Sequence, residues 1–320
     1  MKIKKYITVT AISIMAAATL IGCQNKDAEN QEAYRKIGIN SMAEGDYEKA
    51  VKSFQKALDI STGGIGAEEI DICYYKAAAQ YAGGAYDDAI ETYTALIDYD
   101  KKNAEAYFLR GSVYLNQGKT DKALKDYKKA VEADMNNYEM YEGIYQNLAN
   151  HDQKAEGEKY LKQALDLKPK TAEDYAQRGH IYYFLEDYDN AKKNLDKAID
   201  KNDKNALLYL AEVYNAMGQT ENAQGLLENY VKNNSGDSEA LNTLGMMQLN
   251  DKNYEDALKY FELGLKVKNA ANRQELMKNQ IAAYEYMGDF ESAKEKMKSY
   301  LKEYPNDESA VRENTFLKTR

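Results

Sequence analysis

The sequence has no tryptophan, and only two prolines, two cysteines and two histidines in 320 residues. Cys23 and Cys73 are too few for a disulfide framework. His151 and His180 lack a metal-ligand spacing with each other, with cysteine or with carboxylates, which argues against zinc. Positive charge is not in excess: 43 basic side chains face 52 acidic ones, for a net charge of −9. That balance disfavours nucleic acid and anionic lipid surfaces as partners, because both need a basic patch. The longest apolar stretch, from Ile7 to Ile21, is short beside the roughly 20 residues of a spanning helix. The glycine-rich segment from Ser61 to Ala67 lacks the Lys-Ser/Thr of a phosphate loop. The segment from Asp200 to Asn205 lacks the ligand alternation and central glycine of a calcium loop. No nucleophile–base constellation is visible, so the chain reads as a binding protein and not an enzyme, with no cofactor implied.

What is present is a period. Ala50, Ala89, Ala123, Gly157, Ala191, Ala223, Ala257 and Ala293 follow one another at steps of 39, 34, 34, 34, 32, 34 and 36 residues. Sixteen residues before each lies a larger apolar column, with members such as Tyr34, Tyr107 and Leu241. Twelve before is a second small column, including Gly38, Gly111, Gly179 and Gly245. Four after is another large one, including Phe54, Tyr127, Leu195 and Phe261. Small residues let helices approach and large ones fill the space beside them. Apolar positions at helical spacing in both halves of the period predict two amphipathic helices per repeat. Gly45, Gly84, Gly118, Gly218 and Gly288 stand five residues before the small column, where glycine can end a helix in a left-handed conformation. Pro169 and Pro305 both stand twelve after it, at the exit from the second helix.

These columns resemble the tetratricopeptide repeat family over residues 31–307. The resemblance implies an all-α, superhelical solenoid of about eight antiparallel helix pairs, with tyrosine where the family often has tryptophan. Repeat four departs from the pattern at Tyr145, Asp152, Lys154 and Gly157. Residues 308–320, polar apart from Val311 and Phe316, are expected to form a C-terminal cap helix. In that family the first helices line a concave face. Residues one, two, five, eight and nine places after the large first-helix column point into it. Here those places include Tyr74, Tyr75, Tyr81, Phe108, Leu109, Gln146, His180, Tyr183, Phe184, Tyr209, Asn242 and Met246. Aromatic area dotted with amides suits an extended peptide or a helix; the alternative for any one ring is packing against the next repeat. The family's carboxylate-gripping site has one candidate here, Arg35, without its asparagine partners.

The amino terminus carries a different signal. Lys2, Lys4 and Lys5 precede the apolar stretch, which ends in Leu20-Ile21-Gly22-Cys23. A basic start, a short apolar segment and a small residue before the cut describe a secretory signal over residues 1–22. The ending resembles the bacterial lipobox, which implies cleavage before Cys23 and acylation of that cysteine. Loss of three lysines would bring the net charge to −12 and leave Cys73 as the only thiol. Residues 23–30 would be the lipidated cysteine and a polar tether. The expectation is a lipid-anchored protein on the extracytoplasmic side of a cell membrane, binding another protein or peptide in its groove. A carbohydrate or cell-wall binder that stacks sugars on the groove aromatics is the alternative.

Overall fold

The computed structural model describes residues 26–60, 65–203, 205–305 and 307–320. The lipobox Leu20, Ile21, Gly22 and Cys23, and most of the glycine-rich insertion, lie outside them. The described residues form seventeen helices and no strand. Eight consecutive pairs are α1 (Lys26–Ala43) and α2 (Tyr47–Ile60), α3 (Ala67–Ala82) and α4 (Tyr86–Tyr99), α5 (Ala104–Asn116) and α6 (Thr120–Ala133), α7 (Tyr138–Ala149) and α8 (Lys154–Leu165), α9 (Ala172–Phe184) and α10 (Tyr188–Asp200), α11 (Ala206–Ala216) and α12 (Thr220–Asn233), α13 (Ser238–Asn250) and α14 (Tyr254–Lys266), and α15 (Arg273–Met287) and α16 (Phe290–Glu303). A last helix, α17 (Glu308–Leu317), follows them. The chain divides into two compact units, one ending at Leu167 and the other beginning at Lys168.

Within each pair the periodic columns meet as size complements. A Cβ added to Gly38 would fall 2.5 Å from the Phe54 ring. One on Gly111 would fall 2.8 Å from Tyr127, and one on Gly179 2.5 Å from Leu195. Gly245 stands in the same relation to Phe261. The glycines on first helices are therefore holes, and the large residues on second helices are the knobs that fill them. Ala50, Ala89, Ala123, Ala191, Ala223, Ala257 and Ala293 are fully buried at the crossing points.

The turn between paired helices has a second fixed requirement. Gly45, Gly84, Gly118, Gly218 and Gly288 all adopt left-handed φ, from 71° to 82°. In repeats four, five and seven the same place holds Asp152, Glu186 and Lys252, with φ of 60°, 61° and 63°. The backbone thus keeps its turn where the sequence does not supply glycine, at the steric cost that Cβ imposes there.

A helix lies at each end of the described residues. Residues 26–30, read as tether, are the first turns of α1, where Asp27 and Glu29 complement the helix dipole. In α17 the buried residues are Ala310 and Leu317, whereas Val311 and Phe316 are 46% and 43% exposed. Asp307 caps this helix, accepting from Ser309 N and Ala310 N at 3.0 and 3.1 Å. Its other oxygen accepts from Tyr300 at 2.5 Å and Lys278 at 2.6 Å, tying α17 to α16 and α15.

Candidate functional site

Consecutive first helices touch within each unit, α1 with α3, α5 with α7, α9 with α11 and α13 with α15. The expected groove positions lie along these seams. In the first unit, structure absorbs most of them. The Tyr74 hydroxyl donates to Asn103 Oδ1 at 2.7 Å, and the same oxygen caps α5 by accepting from Ala106 N at 2.9 Å. Burial pushes the Tyr74 phenol well above its usual range. Tyr75 stacks on Phe54 with ring centroids 5.7 Å apart. Tyr81 tilts against Tyr86 at 5.7 Å, and burial raises its phenol to about 12. Phe108 lies against Tyr127 and over Gly143 of the next repeat, whose Cβ would come 3.0 Å from the ring. Leu109 packs at the edge of the cluster around Tyr93. Gln146 is half-buried, and its neighbour Asn147 donates to Ser112 Oγ at 2.8 Å across α5 and α7. Tyr74, Tyr75 and Phe108 are therefore packing residues, because each repeat borrows rings from its neighbour to fill the seam.

Arg35 is committed as well. Its Nε donates to Asp71 at 2.7 Å, a terminal nitrogen lies 2.6 Å from the same carboxylate, and the guanidinium sits 5.2 Å over the Tyr75 ring. In this position it braces α1 against α3 and does not present itself to a ligand carboxylate.

The second unit differs. His180, Tyr183 and Phe184 on α9 come together with Tyr209 on α11. The His180 imidazole is nearly parallel to Tyr209 at 4.2 Å and to Tyr183 at 5.7 Å, and Phe184 tilts against it at 4.4 Å. All four rings are half-buried. His180 Nε2 lies 3.3 Å from Glu212 Oε2. Glu212 occupies the same column as His180 one repeat later, so the column arithmetic contains it although its charge gave no aromatic or amide signal. Farther along, Asn242 is buried, donating to Glu275 at 3.0 Å and accepting from Asn279 at 2.9 Å. It joins α13 to α15 and is withdrawn from the groove. Met246 packs at the edge of the cluster built on Phe261 and Leu276.

Outside the seams, Arg110 makes two bonds to the buried Asp126, at 2.7 and 2.8 Å, and one to Thr94 at 2.9 Å. That pair was not legible in the sequence, since its members sit in columns that mix polar and apolar residues from repeat to repeat. Cys73 is partly buried beside the Tyr93 cluster, and burial pushes its thiol up, as a packing cysteine requires. Among the described residues no group of three or more His, Cys, Asp or Glu is placed to hold a metal, and no helix is long and apolar enough to cross a membrane.

Comparisons with known proteins agree with this architecture. Tetratricopeptide repeat profiles match residues 31–62, 75–138 and 280–307. A profile described as anaphase-promoting complex, cyclosome, subunit 3 matches 184–263. The Hsp70-Hsp90 organising protein of Plasmodium falciparum is 28% identical over 164 residues, covering 49% of this chain and 27% of that protein. Hsp70-Hsp90 organizing protein 1 of Glycine max is 24% identical over 243 residues, covering 72% and 40%. The chain thus spans less than half the length of these relatives. A crystal structure of a tetratricopeptide repeat protein from Parabacteroides merdae aligns with a TM-score of 0.48 at 18% identity, covering 79% of this chain and 99% of that one. Eight helix pairs with complementary small and large columns, and profiles that match at three places along them, establish that tetratricopeptide repeats are present in this chain.

Proposed function

We propose that this chain is a membrane-tethered adaptor on the extracytoplasmic side, which holds a segment of another protein along its first-helix face. The observation that carries the binding reading is the ring cluster of His180, Tyr183, Phe184 and Tyr209. These rings lie on first helices and retain partial exposure, unlike the fully buried second-helix knobs Phe54, Tyr127, Leu195 and Phe261. Half-buried aromatics around a polar centre supply contact area at small entropic cost, which is how protein-binding surfaces concentrate their affinity. The tether rests on the Leu20-Ile21-Gly22-Cys23 sequence alone. Acyl chains on Cys23 would contribute about 0.8 kcal/mol per buried CH₂, enough for stable anchoring when two or more are attached.

Two measurements test the two parts. A benzophenone amino acid in place of Tyr209 should cross-link to a protein partner in intact cells, while the same group in place of Lys192 on α10 should not. Equal labelling from both positions would sink the first-helix site. Incorporation of a fatty-acid analogue should require Cys23, and undiminished labelling of Cys23→Ala would remove the anchor.

One observation favours a sugar ligand as the second reading. Tyr286 is 66% exposed and stacks on Tyr254 at 6.0 Å, forming a flat aromatic platform of the kind on which a pyranose face rests. Glycan-array binding that is lost in Tyr286→Ala would support it over the protein partner.

A further inference from the structure

The five groove positions of repeats five, six and seven hold one carboxylate, Glu212, and neither lysine nor arginine. That is an unusual composition for a chain in which 30% of residues are charged. Glu212 is thus the one formal charge among these positions. The Glu212 side chain is 41% exposed, against 13% for His180, so the carboxylate stands at the rim and the imidazole lies beneath it. Its contact with His180 Nε2 fixes Oε2 at 3.3 Å and so orients the carboxylate. Below and beside it are the aromatic faces of Tyr209, Tyr183 and Phe184, whose π-systems are negative at the face. A fixed carboxylate and electron-rich rings on one site attract the same ligand, a cation with an apolar stem. The net charge of −9 adds a long-range field of the same sign.

We propose that Glu212, with the rings of His180, Tyr183, Phe184 and Tyr209, receives an arginine or lysine side chain of the bound protein segment. The inference rests on the protein-binding reading above and narrows it. The partner is a segment with a basic residue flanked by apolar ones, its stem against Tyr209 and its charge against Glu212. Arginine suits the site better than lysine, because a planar guanidinium can pair with a carboxylate and stack on a ring together.

The test uses the full chain and three acetylated nine-residue peptides. Each has two Leu-Tyr pairs on either side of a central arginine, glutamine or glutamate. Binding is followed through the side-chain resonances of His180 and Tyr209. The arginine peptide should bind at least tenfold more tightly than the glutamate peptide, with the preference shrinking as salt is raised. Glu212→Gln should bring the arginine and glutamine peptides to equal affinity while the melting temperature stays in place. Equal affinity for all three peptides at the same resonances would overturn the cation assignment and leave the protein-binding site standing. A preference for arginine that survives in Glu212→Gln would equally overturn it. If no peptide moves these resonances, the binding site itself fails, and the cation assignment with it.

Discussion

The ring of Tyr145 lies against Gly157: a Cβ on that glycine would come 3.0 Å from Tyr145 Cδ2 and 3.1 Å from its backbone Cα and oxygen. In the other repeats with a glycine in the second small column, that glycine is the hole and the small column carries alanine. Repeat four exchanges the sizes, with tyrosine on α7 and glycine on α8. Tyr145 is buried, so the two departures from the pattern are one compensated pair. Gly157→Ala should destabilise the first unit by about 1–3 kcal/mol, because the contact is with backbone that cannot move aside. Gly225→Ala on α12 is the control. Nothing lies within 4 Å of its added Cβ, so it should stabilise by roughly 0.5–1 kcal/mol through helix propensity alone. Urea midpoints that fall equally in both variants would refute the assignment.

The left-handed column gives a prediction of opposite sign. Glu186 and Lys252 hold φ of 61° and 63° with a Cβ in place. Glu186→Gly and Lys252→Gly should each raise stability by up to about 1 kcal/mol, since relief of the strain exceeds the backbone entropy that glycine adds. Gly118→Ala should lower it by about 1–2 kcal/mol, although no atom lies near its Cβ position. Thermal midpoints check the pair. A stabilising Gly118→Ala would show that the turn can relax to negative φ.

The fold was readable because its requirements are of size and of backbone conformation, and both leave a periodic mark on composition. The site was less readable for a physical reason. Whether a first-helix ring is packing or surface depends on what the next repeat places opposite it. Phe108 is consumed by Gly143 and Tyr75 by Phe54, and neither pairing follows from a column. Glu212 was in register with His180, but a search for aromatics and amides passes over a carboxylate. In α17 Ala310 and Leu317 form the packed face, while the larger apolar Val311 and Phe316 stay exposed. Capping by Asp307 sets the phase of that helix, and hydrophobicity does not reveal it.

Tyr74 separates packing from binding within the expected groove. Its hydroxyl joins α3 to the cap of α5 through Asn103. Tyr74→Phe should therefore cost about 1 kcal/mol of stability, the net contribution of one hydrogen bond, and leave partner binding unchanged. Phe108→Ala should cost about 3–5 kcal/mol by opening a cavity between repeats three and four. Glu212→Gln should have the reverse profile, with binding reduced and stability kept. Loss of capture in a fully folded Tyr74→Phe would return that tyrosine to the groove.

Docking of α17 should depend on pH through two carboxyl groups with opposite signs. Lys278, Ser309 and Tyr300 hold the Asp307 carboxyl far below its usual range. Its stabilisation is therefore present above an unfolded pKa of about 3.9 and fades as pH falls toward the folded value. Glu285 on α15 is raised to about 7, by burial first and then by Glu313 on α17. Its Oε1 is buried without a hydrogen-bond partner. A raised carboxyl stabilises below an unfolded pKa of about 4.3, and that contribution is lost as pH climbs through about 7. Between pH 5 and 8 Asp307 stays ionised, so the change in this window belongs to Glu285. Amide exchange in residues 308–317, corrected for intrinsic chemistry, should show α17 opening more often at pH 8 than at pH 5. Glu285→Gln should flatten that slope and leave the acid limb intact, whereas Asp307→Asn should weaken docking at neutral pH and flatten the acid limb. An unchanged slope in Glu285→Gln would remove the raised Glu285 carboxyl as its cause.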